Sequence, residues 1–178
     1  ADAIIAQTED VNRRVKKLLP KANVYTVSNT VNGAFSNPKK MDDKLPKKGA
    51  DEVRLLTVSS DYPHKNLEII KPVLDVLLAK NIENLRFVVT LPEQAFDRKF
   101  SEKKYRRYIT NVGPVTIDEC PSLYNECDFM FLPTLLECFS ASYVEAMATK
   151  KPILTSDLGF AHTICKDAAL YFDPLDPE

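Results

Sequence analysis

The sequence predicts an α/β protein: a parallel sheet with helices on both faces. Two observations carry that prediction. Short apolar runs recur at residues 53–58, 85–91, 109–115, 128–132, 152–155 and 169–172, and each is continuous rather than alternating in polarity, as strands covered on both faces are. Between them lie segments of helical period, at about 66–80, 93–107, 118–126, 140–149 and 159–166, and parallel strands need such crossovers. A chain of 178 residues, 44% apolar and 28% charged, is long enough to bury a core of this kind.

The elements follow in order. Residues 3–6 read as a strand, 10–19 as a helix with Val11, Val15, Leu18 and Leu19 on one side, and 24–27 as a second strand. From 37 to 52 the chain is rich in Lys, Pro and Gly and nearly devoid of apolar residues, which is the composition of a linker. The predicted organisation is therefore a strand, helix, strand unit over 1–36, a linker over 37–52 and the main sheet over 53–178. In the first helix of the main unit Ile70, Val73, Leu74 and Leu77 form the core-facing stripe. Pro72 interrupts it, so a kink or a later helix start is expected there.

Charge and composition exclude several functions. Twenty-four Lys+Arg against twenty-five Asp+Glu leave a net charge of −1, without the broad positive field of a general nucleic-acid binder. The glycines, Gly33, Gly49, Gly113 and Gly159, are too scattered to build a dinucleotide-binding or P-loop turn. Cys120, Cys127, Cys138 and Cys165 show no C-x-x-C spacing, and His64 and His162 are the only histidines, so reduced, mostly buried thiols are expected rather than a zinc site or disulfides. The longest apolar stretch is broken by Pro133 and falls short of a membrane span. A cytoplasmic protein is expected, and a chain that starts without Met reads as a piece of a longer one.

In an open α/β sheet, ligands bind where strand ends run into helix N-termini. The strongest signal of this kind is the run from Leu132 to Ala148, where small polar residues open a helix between Glu137 and Glu145. Amides from Phe139 to Ser142 and the positive helix end suit a phosphate, and carboxylates suit sugar hydroxyls. Together they describe a nucleotide-sugar pocket. Ser142-x-x-Glu145 also fits a capping box, in which Glu145 only satisfies a backbone donor. The second signal is the loop from Ser59 to Asn66 after the first main strand, where Lys65 precedes a helix and can meet a diphosphate as a compact charge.

The ordered set Lys65-Asn66, Asn111-Val-Gly113-Pro-Val, Cys127-Asp128, Leu132-Pro133, Glu137-x-Phe139, Glu145-Ala-Met147-Ala, Lys151-Pro152 and Ala168-Ala-Leu-Tyr-Phe-Asp173-Pro resembles glycosyltransferase family 4. That is a group of retaining enzymes with the GT-B fold, and the likeness runs from about residue 50 onward. It implies a Rossmann-like donor-binding domain, the C-terminal half of a two-domain enzyme, with residues 1–36 as the remnant of the N-terminal acceptor domain. It implies catalytic contact of Glu137 with the donor sugar and ribose contact by Glu145. It also implies neutralisation of the diphosphate by Lys65, a cradle at Phe139, Ser140 and Ala141, and a nucleobase near Val115 and Thr116. No metal or resident cofactor is implied. The partners would be a nucleotide-sugar donor, a sugar or lipid-linked acceptor and the N-terminal domain of the same protein, with no nucleic acid.

The sequence departs from the family pattern in three places. Ser59-Ser60 stands where an arginine usually precedes the lysine, Ser140 replaces a glycine, and the usual carboxylate after Gly159 is missing, with His162 nearby. Ser60 would thus occupy a phosphate-side position without its cation. Two alternatives stay open: a GT-B sugar-nucleotide epimerase, and a catalytically degenerate nucleotide-binding or interaction module. The basic stretch from Phe96 to Tyr108 also fits peripheral contact with an anionic membrane, against a solvated helix face as the plainer reading.

Overall fold

The computed structural model describes residues 3–178. The N-terminal unit is β1 (Ile4–Ala6), α1 (Glu9–Leu18) and β2 (Val24–Thr26), with the two strands paired in parallel. Thr8 starts α1 by accepting the Val11 N–H on its hydroxyl at 3.3 Å, and Glu9 and Asp10 suit the positive end of the helix. A single turn, α2 (Gly33–Ser36), follows.

The main sheet contains β3 (Val53–Thr57), β4 (Leu85–Val89), β5 (Ile109–Asn111), β6 (Phe129–Leu132), β7 (Ile153–Ser156) and β8 (Ala169–Phe172). Every pairing is parallel and the order is β5-β4-β3-β6-β7-β8. The crossovers are α3 (Ile70–Ala79), α4 (Glu93–Lys99), α5 (Lys103–Arg106), α6 (Cys120–Asn125), α7 (Ala141–Ala148) and α8 (Gly159–Cys165).

Neighbouring residues on one strand feed opposite cores, which explains the unbroken apolarity of the runs. Leu56, Val88, Met130, Leu132 and Ile153 pack with Leu123, Tyr143, Ala146 and Phe160 on one face. Leu55, Phe87, Val89 and Phe131 pack with Ile70, Leu74, Phe96 and Tyr105 on the other.

One expectation is met and two change in detail. Helix α3 starts late, after a 3-10 turn at Leu67–Ile69. Pro72 is then its third residue, where the missing N–H has no intrahelical acceptor to lose. The helix expected over 93–107 is two helices. Phe100 leaves helical geometry at φ −121°, is fully buried, and gives its carbonyl to Arg106 Nε at 2.6 Å; burying that ring outweighs a continuous helix. The strand expected over 109–115 ends at Asn111, and Gly113 turns the chain at φ +73°.

Residues 37–52 form no regular element, yet they are tied to the sheet domain. The Glu126 carboxylate accepts the amides of Lys44 at 3.1 Å and Leu45 at 2.7 Å. Lys39, Lys44 and Lys48 pair with Asp118, Glu119 and Asp128. Phe35 and Leu45 are buried in the core that holds Tyr124. The N-terminal unit also touches the main one. Thr8 Oγ1 donates to the Cys138 carbonyl at 3.2 Å, and a Cβ added at Gly159 would lie 3.2 Å from Asp10 Oδ1. A glycine at that position lets α1 approach the start of α8.

Candidate functional site

The strand order places β3 and β6 side by side, with connections from them leaving in opposite directions along the sheet. A crevice opens at the carboxyl ends of the strands at such a switch point. Here it is a cleft of about 400 Å³ lined from four strand ends. Val58, Ser59, Ser60, Tyr62 and Lys65 follow β3, Thr90 follows β4, Pro114 and Val115 follow β5, and Glu137, Phe139, Ser140, Ala141, Ser142 and Glu145 follow β6.

Local hydrogen bonds fix these loops. The Ser59 N–H donates to Thr90 Oγ1 at 3.0 Å and the Thr90 hydroxyl donates back to the Ser59 carbonyl at 3.2 Å. Pro63–Lys65 forms a 3-10 turn that Asn66 closes in the left-handed region, at φ 54°. The His64 carbonyl then accepts the Leu135 N–H at 2.7 Å and the Thr134 hydroxyl at 3.1 Å. That joint brings the loop after β6 against the turn carrying Lys65. Lys65 Nζ and Glu137 Oε1 meet at 2.5 Å, with side chains 16% and 10% exposed. The cation expected at the diphosphate and the carboxylate expected at the sugar therefore neutralise each other. The His64 ring stacks on Tyr62, and the residue's role in the loop is carried by its backbone.

Helix α7 begins at the cleft. Its N-cap, Ser140, is extended and makes no side-chain capping bond, so the amides of Ala141 and Ser142 open into the site without intrahelical acceptors. The capping box does not form, because Ser142 lies inside the helix and is not its cap. Glu145 is 6% exposed and accepts the Tyr124 O–H on Oε2 at 3.1 Å. Burial raises its carboxyl above the ordinary range, and the Tyr124 hydrogen bond opposes that rise. Glu145 thus stands as a buried carboxylate in the cleft wall and not as a helix cap.

The structure brings together Ser60, Lys65, Val115, Glu137, Phe139, Ser140, Ala141 and Glu145. Thr116 is turned elsewhere: its amide and hydroxyl both donate to Glu119 Oε2, at 2.6 and 2.9 Å. Glu119, held also by Lys44, has its pKa lowered to about 2. Thr90 has no role assigned from the sequence, and Tyr62 and Pro114 enter there only as members of the Ser59–Asn66 loop and the Asn111–Val115 run. The signal for Thr90 was its place at the end of the strand beside β3. Tyr62 carried only its loop position as a signal, since its side chain is exposed.

Other candidates resolve simply. Cys120, Cys127 and Cys165 are free and buried, Cys138 is free and exposed, and burial pushes the three buried thiols up to about 11, 12 and 12. Among the described residues, no group of three or more His, Cys, Asp or Glu is placed to hold a metal ion, and no helix is long and apolar enough to cross a membrane. The basic stretch is largely paired within the fold: Arg98 and Lys99 with Asp61, Lys104 with Asp75, Arg106 with Asp97 and Arg107 with Glu83. Those pairs favour a solvated face over a membrane-facing cationic patch.

Comparison with known proteins agrees with this architecture. The chain is 25% identical over 162 residues to the O-antigen chain mannosyltransferase RfbU of Salmonella typhimurium, covering 87% of this chain and 44% of that protein. It thus spans less than half the length of this relative. The α,α-trehalose-phosphate synthase (UDP-forming) of Burkholderia vietnamiensis superposes with a TM-score of 0.77 at 12% identity, over 99% of this chain and 51% of that one. A structure of S. aureus TarM, solved in complex with UDP among other ligands, superposes with a TM-score of 0.72 at 18% identity, over 97% and 34%. These likenesses show that the six-stranded parallel sheet and its helices have the GT-B glycosyltransferase fold. A family model for the group 1 glycosyl transferases matches residues 52–178, and the chain belongs to that family.

Proposed function

We propose that this chain is the donor-binding part of a retaining glycosyltransferase that moves a hexose from a nucleotide-sugar to a sugar or lipid-linked acceptor in polysaccharide or glycoconjugate synthesis. The observation that carries the reading is the convergence, in one cleft at the switch point, of Lys65, Glu137, Glu145 and the open start of α7. In this reading the diphosphate takes Lys65 from Glu137 and rests on the amides of Ala141 and Ser142, which stabilise charge on the leaving nucleotide without a metal. Glu137, released from the ion pair, turns to the sugar hydroxyls. Glu145 receives the ribose, and the base lies over Val115 and Pro114. The acceptor hydroxyl attacks the anomeric carbon from the face the nucleotide leaves, so the anomeric configuration is kept. Its proton passes to the departing phosphate oxygen.

Likeness to RfbU supports the choice of process, and the UDP held by TarM supports the class of donor. The acceptor wall would come from an N-terminal domain, and the site of action would be cytoplasmic, at most peripheral to a membrane. A screen of UDP-, GDP- and ADP-sugars by ligand-observed NMR tests the reading. Saturation transfer to at least one of them, displaced by the matching nucleoside diphosphate, is expected; transfer to none rejects it. Product analysis with the whole protein then separates transfer from epimerisation.

A further inference from the structure

Tyr124 is not part of the cleft wall, yet its hydroxyl touches a buried carboxylate that is. It projects from α6, is fully buried, and packs edge-on against Phe35 with ring centroids 5.8 Å apart. A phenylalanine would fill that space equally well and bring no polar atom into the core. The hydroxyl instead reaches Glu145 Oε2 at 3.1 Å and the Ser142 carbonyl at 3.4 Å. Among the described residues, the other Glu145 oxygen has no protein partner, and Glu145 lines the cleft.

A core selected for stability alone gains little from a carboxylate with one donor, since desolvating the charge costs more than a single hydrogen bond returns. The pair makes sense when a ligand completes it. We infer that Tyr124 is a positioning residue for nucleotide recognition: its O–H holds Oε2 of Glu145, so that Oε1 is presented to the vicinal hydroxyls of a ribose. Burial and the neighbouring Glu145 charge hold the phenol well above its ordinary pKa, so the hydroxyl keeps its proton and stays a donor at every working pH. The same residue joins the site to residues outside it, because Phe35 of α2 backs its ring.

This inference rests on the donor-site reading, and its test separates the two. Calorimetry would measure UDP, GDP and ADP, and their 2′,3′-dideoxy forms, against the wild-type chain and Tyr124→Phe. In wild type the ribose form of the preferred nucleotide should bind tighter than its dideoxy form. Tyr124→Phe should weaken the ribose form about five- to tenfold, the scale of one ordinary net hydrogen bond, and leave the dideoxy form unchanged. Equal loss for both forms means a merely structural tyrosine and overturns the inference, as does no loss for either. Equal wild-type affinity for both forms also overturns it while the cleft reading stands; failure of all three nucleotides removes that reading itself. Should the variant not fold, 3-fluorotyrosine placed at position 124 gives a second readout. Its ¹⁹F signal should move with the ribose nucleotide and not with the dideoxy form, and the opposite result rejects the role.

Discussion

At the scale of single residues, three ionisable side chains, Lys65, Glu137 and Glu145, share one cleft. Lys65→Met should weaken nucleoside diphosphate binding by about 1.5–3 kcal/mol and leave nucleoside binding nearly unchanged, because only the diphosphate uses the cation. Equal losses measured by calorimetry would place the lysine outside the phosphate site. Glu137→Gln acts in the opposite direction. It removes the ion-pair partner 2.5 Å from Lys65, so nucleoside diphosphate affinity should rise about fivefold, as expected for a pair worth near 1 kcal/mol, while turnover by the whole enzyme falls.

Glu145 carries a pH signature. Burial raises its folded-state pKa above the unfolded value, so the folded state binds the proton more tightly, and stability falls as pH rises from about 4.5 through the folded pKa. Glu145→Gln should therefore melt higher than wild type at about pH 7.5, lose that advantage by about pH 4, and bind nucleotide more weakly throughout. A variant melting lower at neutral pH would contradict the buried-charge assignment. The placing of Lys65, Glu137 and Glu145 in one cleft is legible in the sequence because each lies on a connection leaving the carboxyl end of a strand, or in the first turns of the helix that follows. The Lys65–Glu137 pair and the Tyr124–Glu145 bond are not, because they join residues 72 and 21 positions apart, and only the packed fold sets such contacts.

At the scale of elements, continuous apolar runs located all six main strands, and helical periodicity located their crossovers. Legibility failed where tertiary burial overrode local pattern. Phe100 breaks a charged helix because its ring belongs to the core, and β5 stops early because Gly113 turns the chain toward the cleft. The segment over 37–52 has the composition of a linker, yet Leu45 and the adjoining Phe35 are buried against the α6 and α7 side of the sheet. Two apolar residues in a lysine-rich stretch leave too little pattern to show that. Phe35→Ala should cost about 3–5 kcal/mol in chemical denaturation, the range for truncating a buried aromatic. A loss under about 1 kcal/mol would mean that α2 is only loosely docked.

At the scale of the molecule, the GT-B fold puts the cleft at the carboxyl ends of the strands, where the proposed function needs it. In the proposed reading the acceptor wall comes from another domain and the phosphates stay partly solvated, so this chain alone should bind a nucleoside diphosphate weakly and turn nothing over. Robust sugar transfer by the isolated chain would refute that picture. Nucleotide should bind at the cleft between the β3 and β6 loops, and mapping backbone amide shifts by heteronuclear NMR during titration with UDP, GDP and ADP locates it. Perturbations from the preferred nucleotide should cluster on Ser59–Lys65, on Val115 and on Ser140–Ser142. A response confined to the separate groove lined by Leu135, Leu158 and Leu175, or to the one lined by Ile4, Lys21 and Ala22, with the cleft amides silent, would contradict that placing.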